Sequence, residues 1–190
     1  MKKIFSIFVV SFALVFSTSS FANSIGVIYD SGGKFDKSFN ELAFRTAERV
    51  QNELGWDMLE FEAANNTQIE QGMRKVADRG ATLIVAMGFA QADAVAAIAP
   101  QYPDINFVAV DVCWVDDPAG NIYQACYLEH EGSFLVGVIA AMASKTGTIG
   151  FVGGMDIPLI RKFQGGYEQG ALHANPDIKI LANMTGTTPE

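Results

Sequence analysis

From residue 24 onward, short apolar runs with strand character alternate with segments of helical period, and that alternation points to a parallel sheet covered by helices on both faces. The strand-like runs are residues 25–29, 57–62, 82–87, 106–110, 122–127, 148–152 and 178–183. Parallel neighbours need long crossover connections, and most gaps between the runs hold a helix of a few turns. The first helix is the best punctuated. Ser38 with Glu41 three residues on reads as a capping box, Ala43, Ala47, Val50 and Leu54 share one face, and Gly55 follows the end. Thr67 with Glu70 repeats the device, after which Ile69, Met73, Val76 and Ala77 point inward and Gly80 stops the helix. An alanine-rich helix over residues 91–99 ends before Pro100 and Pro103. An apolar helix over residues 134–143 and another over residues 158–173 complete the pattern.

The first five runs form one expected lobe, residues 23–128, with enough strands to bury a core of its own. A second βα pattern starts near Glu129, so residues 129–190 read as a partial second lobe of two strands and two helices, with the hinge near residues 129–132. Two complete lobes take roughly 250 to 300 residues, so the second is expected to be truncated, with an exposed sheet edge that weakens folding and binding. Ahead of the first strand, residues 1–22 carry Lys2 and Lys3, an apolar run over residues 4–16 and Ser20-Phe21-Ala22. This is the layout of a cleaved signal peptide with its cut near Ala22, and the apolar run is shorter than the roughly 20 residues of a membrane span. No cysteine follows the cut for lipid attachment, which makes a soluble periplasmic product the expectation.

The formal charge is −8, and loss of Lys2 and Lys3 makes it more negative still. An acidic surface argues against nucleic acid and anionic membrane as partners. No Lys or Arg occurs between Arg79 and Lys145, whereas Asp93, Asp104, Asp111, Asp116, Asp117, Glu129 and Glu131 all fall there. A site built from this stretch suits neutral or cationic ligands. Cys113 and Cys126 are the two cysteines. Their spacing in an exported chain suits one disulfide, while the apolar stretches around them suit buried thiols equally well. Neither has a histidine at metal-ligand spacing, and no metal site is expected.

Chemistry concentrates in residues 25–40, IGVIYDSGGKFDKSFN: a strand, an acid at its tip, a glycine turn and a helix start. Asp30 ends the first strand and Asp111 the fourth, so in a parallel sheet both carboxylates face one edge, as ligand contacts or as caps of local turns. Gly32-Gly33-Lys34 lacks the spacing of a phosphate-binding loop, since Phe35 follows the lysine, and no G-x-G-x-x-G follows any strand. Phe39 and Asn40 open the first helix and Phe89 follows the third strand, an aromatic face that suits a flat heterocycle or simply a core. Phe163 carries the same ambiguity. Gly132-Ser133 lacks the nucleophile-elbow pattern, and His130 and His173 have no nucleophile at a motif spacing.

Taken together, Tyr29-Asp30, the run from Asp36 to Asn40, Gly88-Phe89, Val110-Asp111, the run from Glu129 to Gly137, and Gly153-Gly154-Met155 with Ile157-Pro158 and Phe163 resemble the basic membrane protein family of substrate-binding proteins. The resemblance spans residues 24–190. It implies an α/β type I periplasmic binding protein with two Rossmann-like lobes of parallel sheet, the second truncated here, closing over a nucleoside, most simply a purine nucleoside. By motif, Phe39 and Phe163 would stack on the base, Asp30, Asn40 and Asp111 would make polar contacts, and Phe89 would join them. The expected partners are that small molecule and an ABC permease in the inner membrane, for a monomeric receptor that has no cofactor and is not an enzyme. A ligand-sensing domain for a signalling partner and a nucleoside hydrolase using the two aspartates are the alternatives.

Overall fold

The computed structural model describes residues 23–186, so the signal-peptide expectation for residues 1–22 lies outside the described residues. Five strands, β1 (Ser24–Tyr29), β2 (Asp57–Glu62), β3 (Leu83–Met87), β4 (Asn106–Val110) and β5 (Ile122–Ala125), form one sheet in the order β2-β1-β3-β4-β5. Every neighbouring pair is parallel, with Ile25 opposite both Met58 and Leu83. Helices α1 (Phe39–Leu54), α2 (Ile69–Asp78) and α3 (Ala92–Ile98) make the crossovers. Because β1 is flanked by β2 on one side and β3 on the other, the strand order reverses at β1, and a crevice opens at its carboxyl end.

Side-chain alternation along β1 feeds two cores. Ile28 packs with Met73, Val76, Ile84, Val95 and Phe107 on the α2/α3 face. Val27 and Tyr29 pack with Ala47 and Met87 on the α1 face, where Phe39, Phe44 and Val50 close the layer. The inward residues expected of α2, Ile69, Met73, Val76 and Ala77, are all buried. On α1 the expectation holds for Ala47, which is buried, and for Ala43 and Val50, which pack against the same core, but Leu54, the last helical residue before Gly55 ends the helix at φ +69°, is exposed. β5 ends two residues earlier than the apolar run suggests. The ladder stops with Val110 opposite Ala125, and beyond it β4 offers no strand to pair with.

A second sheet, β6 (Thr148–Gly153) parallel to β7 (Lys179–Met184), is crossed by α5 (Pro158–Ala174) and packed by α4 (Glu129–Ala143). α4 starts at Glu129, five residues before its apolar run. Leu128 O accepts the Glu131 N–H at 2.9 Å, and two glutamates in the first turn suit the positive end of the helix. α4 and α5 touch backbone to backbone. A side chain at Gly137 would strike the Tyr167 carbonyl, one at Gly166 the His130 carbonyl, and one at Gly170 the Phe134 carbonyl. The core of this unit is small, centred on Ala141, Ala171 and Ile178. The outer face of α4 meets solvent, with Leu135, Val136, Ile139 and Met142 between 56% and 77% exposed. No helix among the described residues is long and apolar enough to cross a membrane.

The helix contact yields a prediction. Gly170→Val forces α4 and α5 apart at a cost of about 3 kcal/mol. Amide hydrogen exchange is expected to show protection lost in α4 and α5 while α1 to α3 keep theirs.

Candidate functional site

At the end of β1 the chain turns through Ser31 to Asp36 before α1 begins. Asn40, fully buried, organises that turn. Its Nδ2 donates to Asp30 Oδ1 at 2.6 Å and to Gly33 O at 3.0 Å, and its Oδ1 accepts the Asp30 N–H at 3.2 Å. Asp30 Oδ1 also accepts the Gly32 N–H at 2.9 Å, so this oxygen is occupied by the turn. Asp30 Oδ2 lies toward Gly88, 3.6 Å from where a side chain there would begin. Gly88 follows β3 at φ +96°, a conformation that favours glycine, and Phe39 Cε1 lies 3.6 Å from the same point.

The cap of α1 comes from Asp36, two residues before the serine of the expected capping box. Its carboxylate accepts the N–H groups of Ser38 at 2.8 Å, Asn40 at 3.0 Å and Glu41 at 3.2 Å, and these bonds, the one from Asn40 foremost, hold it below the usual carboxylate range. Ser38 makes no side-chain cap. The second expected box also fails, since the Thr67 hydroxyl donates to Asn65 Oδ1 at 2.6 Å. Upstream side chains compete with both expected caps: Asp36 takes the backbone amides of α1, and Asn65 takes the Thr67 hydroxyl itself. Lys34 is committed as well. Its ammonium sits 2.7 Å from Glu60 Oε1 and 3.7 Å from the Phe44 ring centre, and Glu60 accepts the Tyr29 hydroxyl at 2.6 Å. Burial, and then this bond to Glu60, push the Tyr29 hydroxyl well above its ordinary range.

These elements border a cleft of about 300 Å³. Asp30, Phe39, Phe89 and Asp111 line it from the side of the five-stranded sheet, Gly154 and Met155 line it from the β6–α5 turn, and Ile160 from the first turn of α5. Of the six site residues expected from sequence, four therefore share one cavity. Asn40 lies behind Asp30, and Phe163 sits three residues beyond Ile160 on α5, partly exposed and outside the lining. Ile160 was not foreseen. Its signal was its place in the first turn of the helix after Gly153-Gly154, as Phe39 stands in the first turn after Gly32-Gly33.

Asp111 follows β4 in the left-handed region at φ +60°, and its N–H donates to Ala125 O at 3.0 Å. A non-glycine residue held there at a strand end is a common mark of a functional position. Burial, and then the charge of Glu129, raise the Asp111 carboxyl above its ordinary range. The Glu129 side chain is 5% exposed and pairs with Lys162 Nζ at 2.6 Å. Burial pushes that carboxyl up, but the hydrogen bond and charge of Lys162, with backbone N–H bonds, outweigh it and leave Glu129 low. Lys162 Nζ also donates to Tyr127 O at 3.1 Å. Between these groups runs a disulfide, Cys113–Cys126, with Cα atoms 5.7 Å apart, so the first of the two readings of the cysteines holds. The cleft therefore offers carboxylate acceptors and phenyl rings, and none of the residues lining it is a lysine or arginine. It suits a molecule that donates hydrogen bonds, has a flat apolar face and carries no phosphate.

Parallel α/β sheets joined around a cleft at their carboxyl edges are the architecture of type I periplasmic solute-binding proteins. A crystal structure of ABC transporter system solute-binding proteins from Aeropyrum pernix K1 superposes with a TM-score of 0.75 and 30% identity, over 86% of this chain and 48% of that one. The sequence matches the family described as "Bmp: ABC transporter substrate-binding protein PnrA-like" over residues 22–190, and the chain belongs to that family. Basic membrane protein A2 of Borrelia garinii subsp. bavariensis is 36% identical over 153 residues, 80% of this chain and 45% of that protein. The ABC transporter nucleoside-binding protein BmpA of Lactococcus lactis subsp. cremoris is 32% identical over 165 residues, 85% of this chain and 46% of that protein. The chain spans about half the length of the curated relatives it matches.

Two outcomes follow from the local geometry. Asn40→Ala strands the Asp30 N–H and the Gly33 carbonyl in a partly buried turn, and urea unfolding is expected to show a loss of about 1–3 kcal/mol. Removing the disulfide with Cys113→Ala and Cys126→Ala frees a loop of 13 residues' separation in the unfolded chain. The thermal midpoint is expected to fall accordingly, by the equivalent of about 3 kcal/mol.

Proposed function

We propose that this chain is the solute-binding component of an ABC importer, that it works outside the cytoplasmic membrane, and that it binds a nucleoside, most simply a purine nucleoside, for delivery to the permease. The observation that carries this reading is the lining of the cleft: the free oxygen of Asp30 and the carboxylate of Asp111 stand beside Phe39 and Phe89, with no cation to meet a phosphate. The likeness to a relative named for nucleoside binding agrees with it.

In this reading residues 23–128 form one lobe and residues 129–190 part of a second. The base stacks on Phe39, with Phe89 beside it, and Phe163 meets it from α5 as the two units close. Asp30 and Asp111 accept hydrogen bonds from the sugar hydroxyls or ring N–H groups. Asn40 serves the ligand through Asp30, whose carboxylate it holds in place. The protein acts as a monomer and returns its ligand chemically unchanged.

Isothermal titration with adenosine, guanosine and inosine is the test, with adenosine monophosphate as the charged control. Heat is expected from at least one nucleoside and none from the phosphate, and no heat from any nucleoside with folded protein overturns the reading. Asp111→Asn and Phe39→Ala are each expected to weaken binding by roughly tenfold or more. Prolonged incubation is expected to release no free base; its appearance would make the protein a hydrolase.

A further inference from the structure

Three ties fix the segments that carry Asp111 and Glu129: two join those segments to each other, and the third anchors Glu129 to α5. The Asp111 N–H donates to Ala125 O at 3.0 Å, the Cys113–Cys126 disulfide joins the segment after Asp111 to the segment before Glu129, and Lys162 Nζ binds both Tyr127 O at 3.1 Å and Glu129 Oε2 at 2.6 Å. Glu129 is almost wholly buried, and its Oε1 has no hydrogen-bond partner among the described residues. A carboxylate whose side chain is shielded from water in this way is screened by salt less than an exposed one. Its one ion-pair partner, Lys162, comes from α5, on the far side of the crossing between the two sheets.

We propose that Lys162 is a positioning residue for the cleft: by pairing with Glu129 it sets the charge that Asp111 presents to the ligand. The inference rests on the reading of the cleft as a ligand site, and it deepens that reading by adding a residue that touches no ligand. Charged groups near Asp111 are few. Gly88 and Phe89, which follow β3, are uncharged, Asp30 after β1 lines the same cleft, and Glu129 at the start of α4, outside the lining, adds a negative charge felt at Asp111. Asp117, beyond β4, is turned to the Asn121 and Ile122 amides at 3.0 Å each. The charged groups so placed, Asp30 and Glu129, are acids, and the cation that pairs with one of them is Lys162. With Lys162 in place, Glu129 is ionised and partly neutralised, and Asp111 can also ionise and accept hydrogen bonds. Without it the two carboxylates become a coupled pair that takes up its first proton at a higher pH.

The test is carbon-13 NMR titration of the Asp111 and Glu129 side-chain carboxyls in the ligand-free chain, assigned with Asp111→Asn. Lys162→Met is expected to raise the first protonation of the pair by about one pH unit or more. Lys162→Arg keeps the charge and is expected to leave it where it was. Glu129→Gln keeps an acceptor for Lys162 but removes the charge, so the Asp111 midpoint is expected to move the opposite way, downward. A purely structural role predicts no such opposed shifts. The proposal is overturned if Lys162→Met and Glu129→Gln both leave the midpoint in place, or move it in the same direction. Should Lys162→Met fail to fold, Lys162→Gln takes its place, and an unmoved midpoint there overturns the proposal. The readout needs no ligand, so a failure of nucleoside binding and a failure of this inference are seen separately.

Discussion

Parallel pairing of every strand in the larger sheet is the constraint from which the site follows. In such a sheet all strands deliver their carboxyl ends to one edge, so Asp30 after β1, Gly88 after β3 and Asp111 after β4 arrive as neighbours although 81 positions separate the outer two. The reversal of strand order at β1 keeps the α1 and α3 crossovers on opposite faces and leaves the edge above β1 and β3 open. An antiparallel arrangement of the same strands would have sent half of these residues to the opposite edge.

What the sheet brings together, local polar contacts hold still. Asn40 uses both amide hydrogens and its carbonyl on the turn it faces, and Asp36 uses both oxygens on the first amides of α1. One oxygen of Asp30 is fixed and the other is left toward the cleft. A carboxylate held this way loses little freedom on meeting a ligand, which is how a binding site avoids an entropic penalty. Lys34, in a turn that superficially resembles a phosphate loop, is instead spent on Glu60 and on the face of Phe44.

Much of this could be read in the sequence because period and punctuation survive in it. The seven strands fall within a residue or two of their apolar runs, apart from the early end of β5, and the four α2 residues with helical spacing are all buried. Misreadings came where chemistry of one type had two local outlets. Ser38 and Asp36 can both cap α1, and the stronger acceptor took the amides. The apolar run of α4 begins only at Phe134, yet the positive end of the helix draws Glu129 and Glu131 into its first turn. Asn40 is polar and stands next to Phe39, but a helix turns successive residues about 100° apart, so one side chain lines the cleft and the other enters the turn behind it. No pattern along the chain carries that distinction.

The long stretch without Lys or Arg takes on a specific meaning once folded. It supplies β3, α3, β4, β5 and all of α4, and with them Asp111 and Glu129, so the crossing between the two sheets gathers negative charge in a partly buried place. Among the described residues, the ion pair that reaches into this stretch is that of Lys162 with Glu129. Its cation is carried by α5, a helix that can approach α4 so closely because Gly137, Gly166 and Gly170 leave no side chains between the two backbones. The glycine contacts and the ion pair are thus parts of one arrangement. Close packing of two helices sets the reach of a single lysine, and that reach decides how much of the acidity of the first sheet is felt in the cleft.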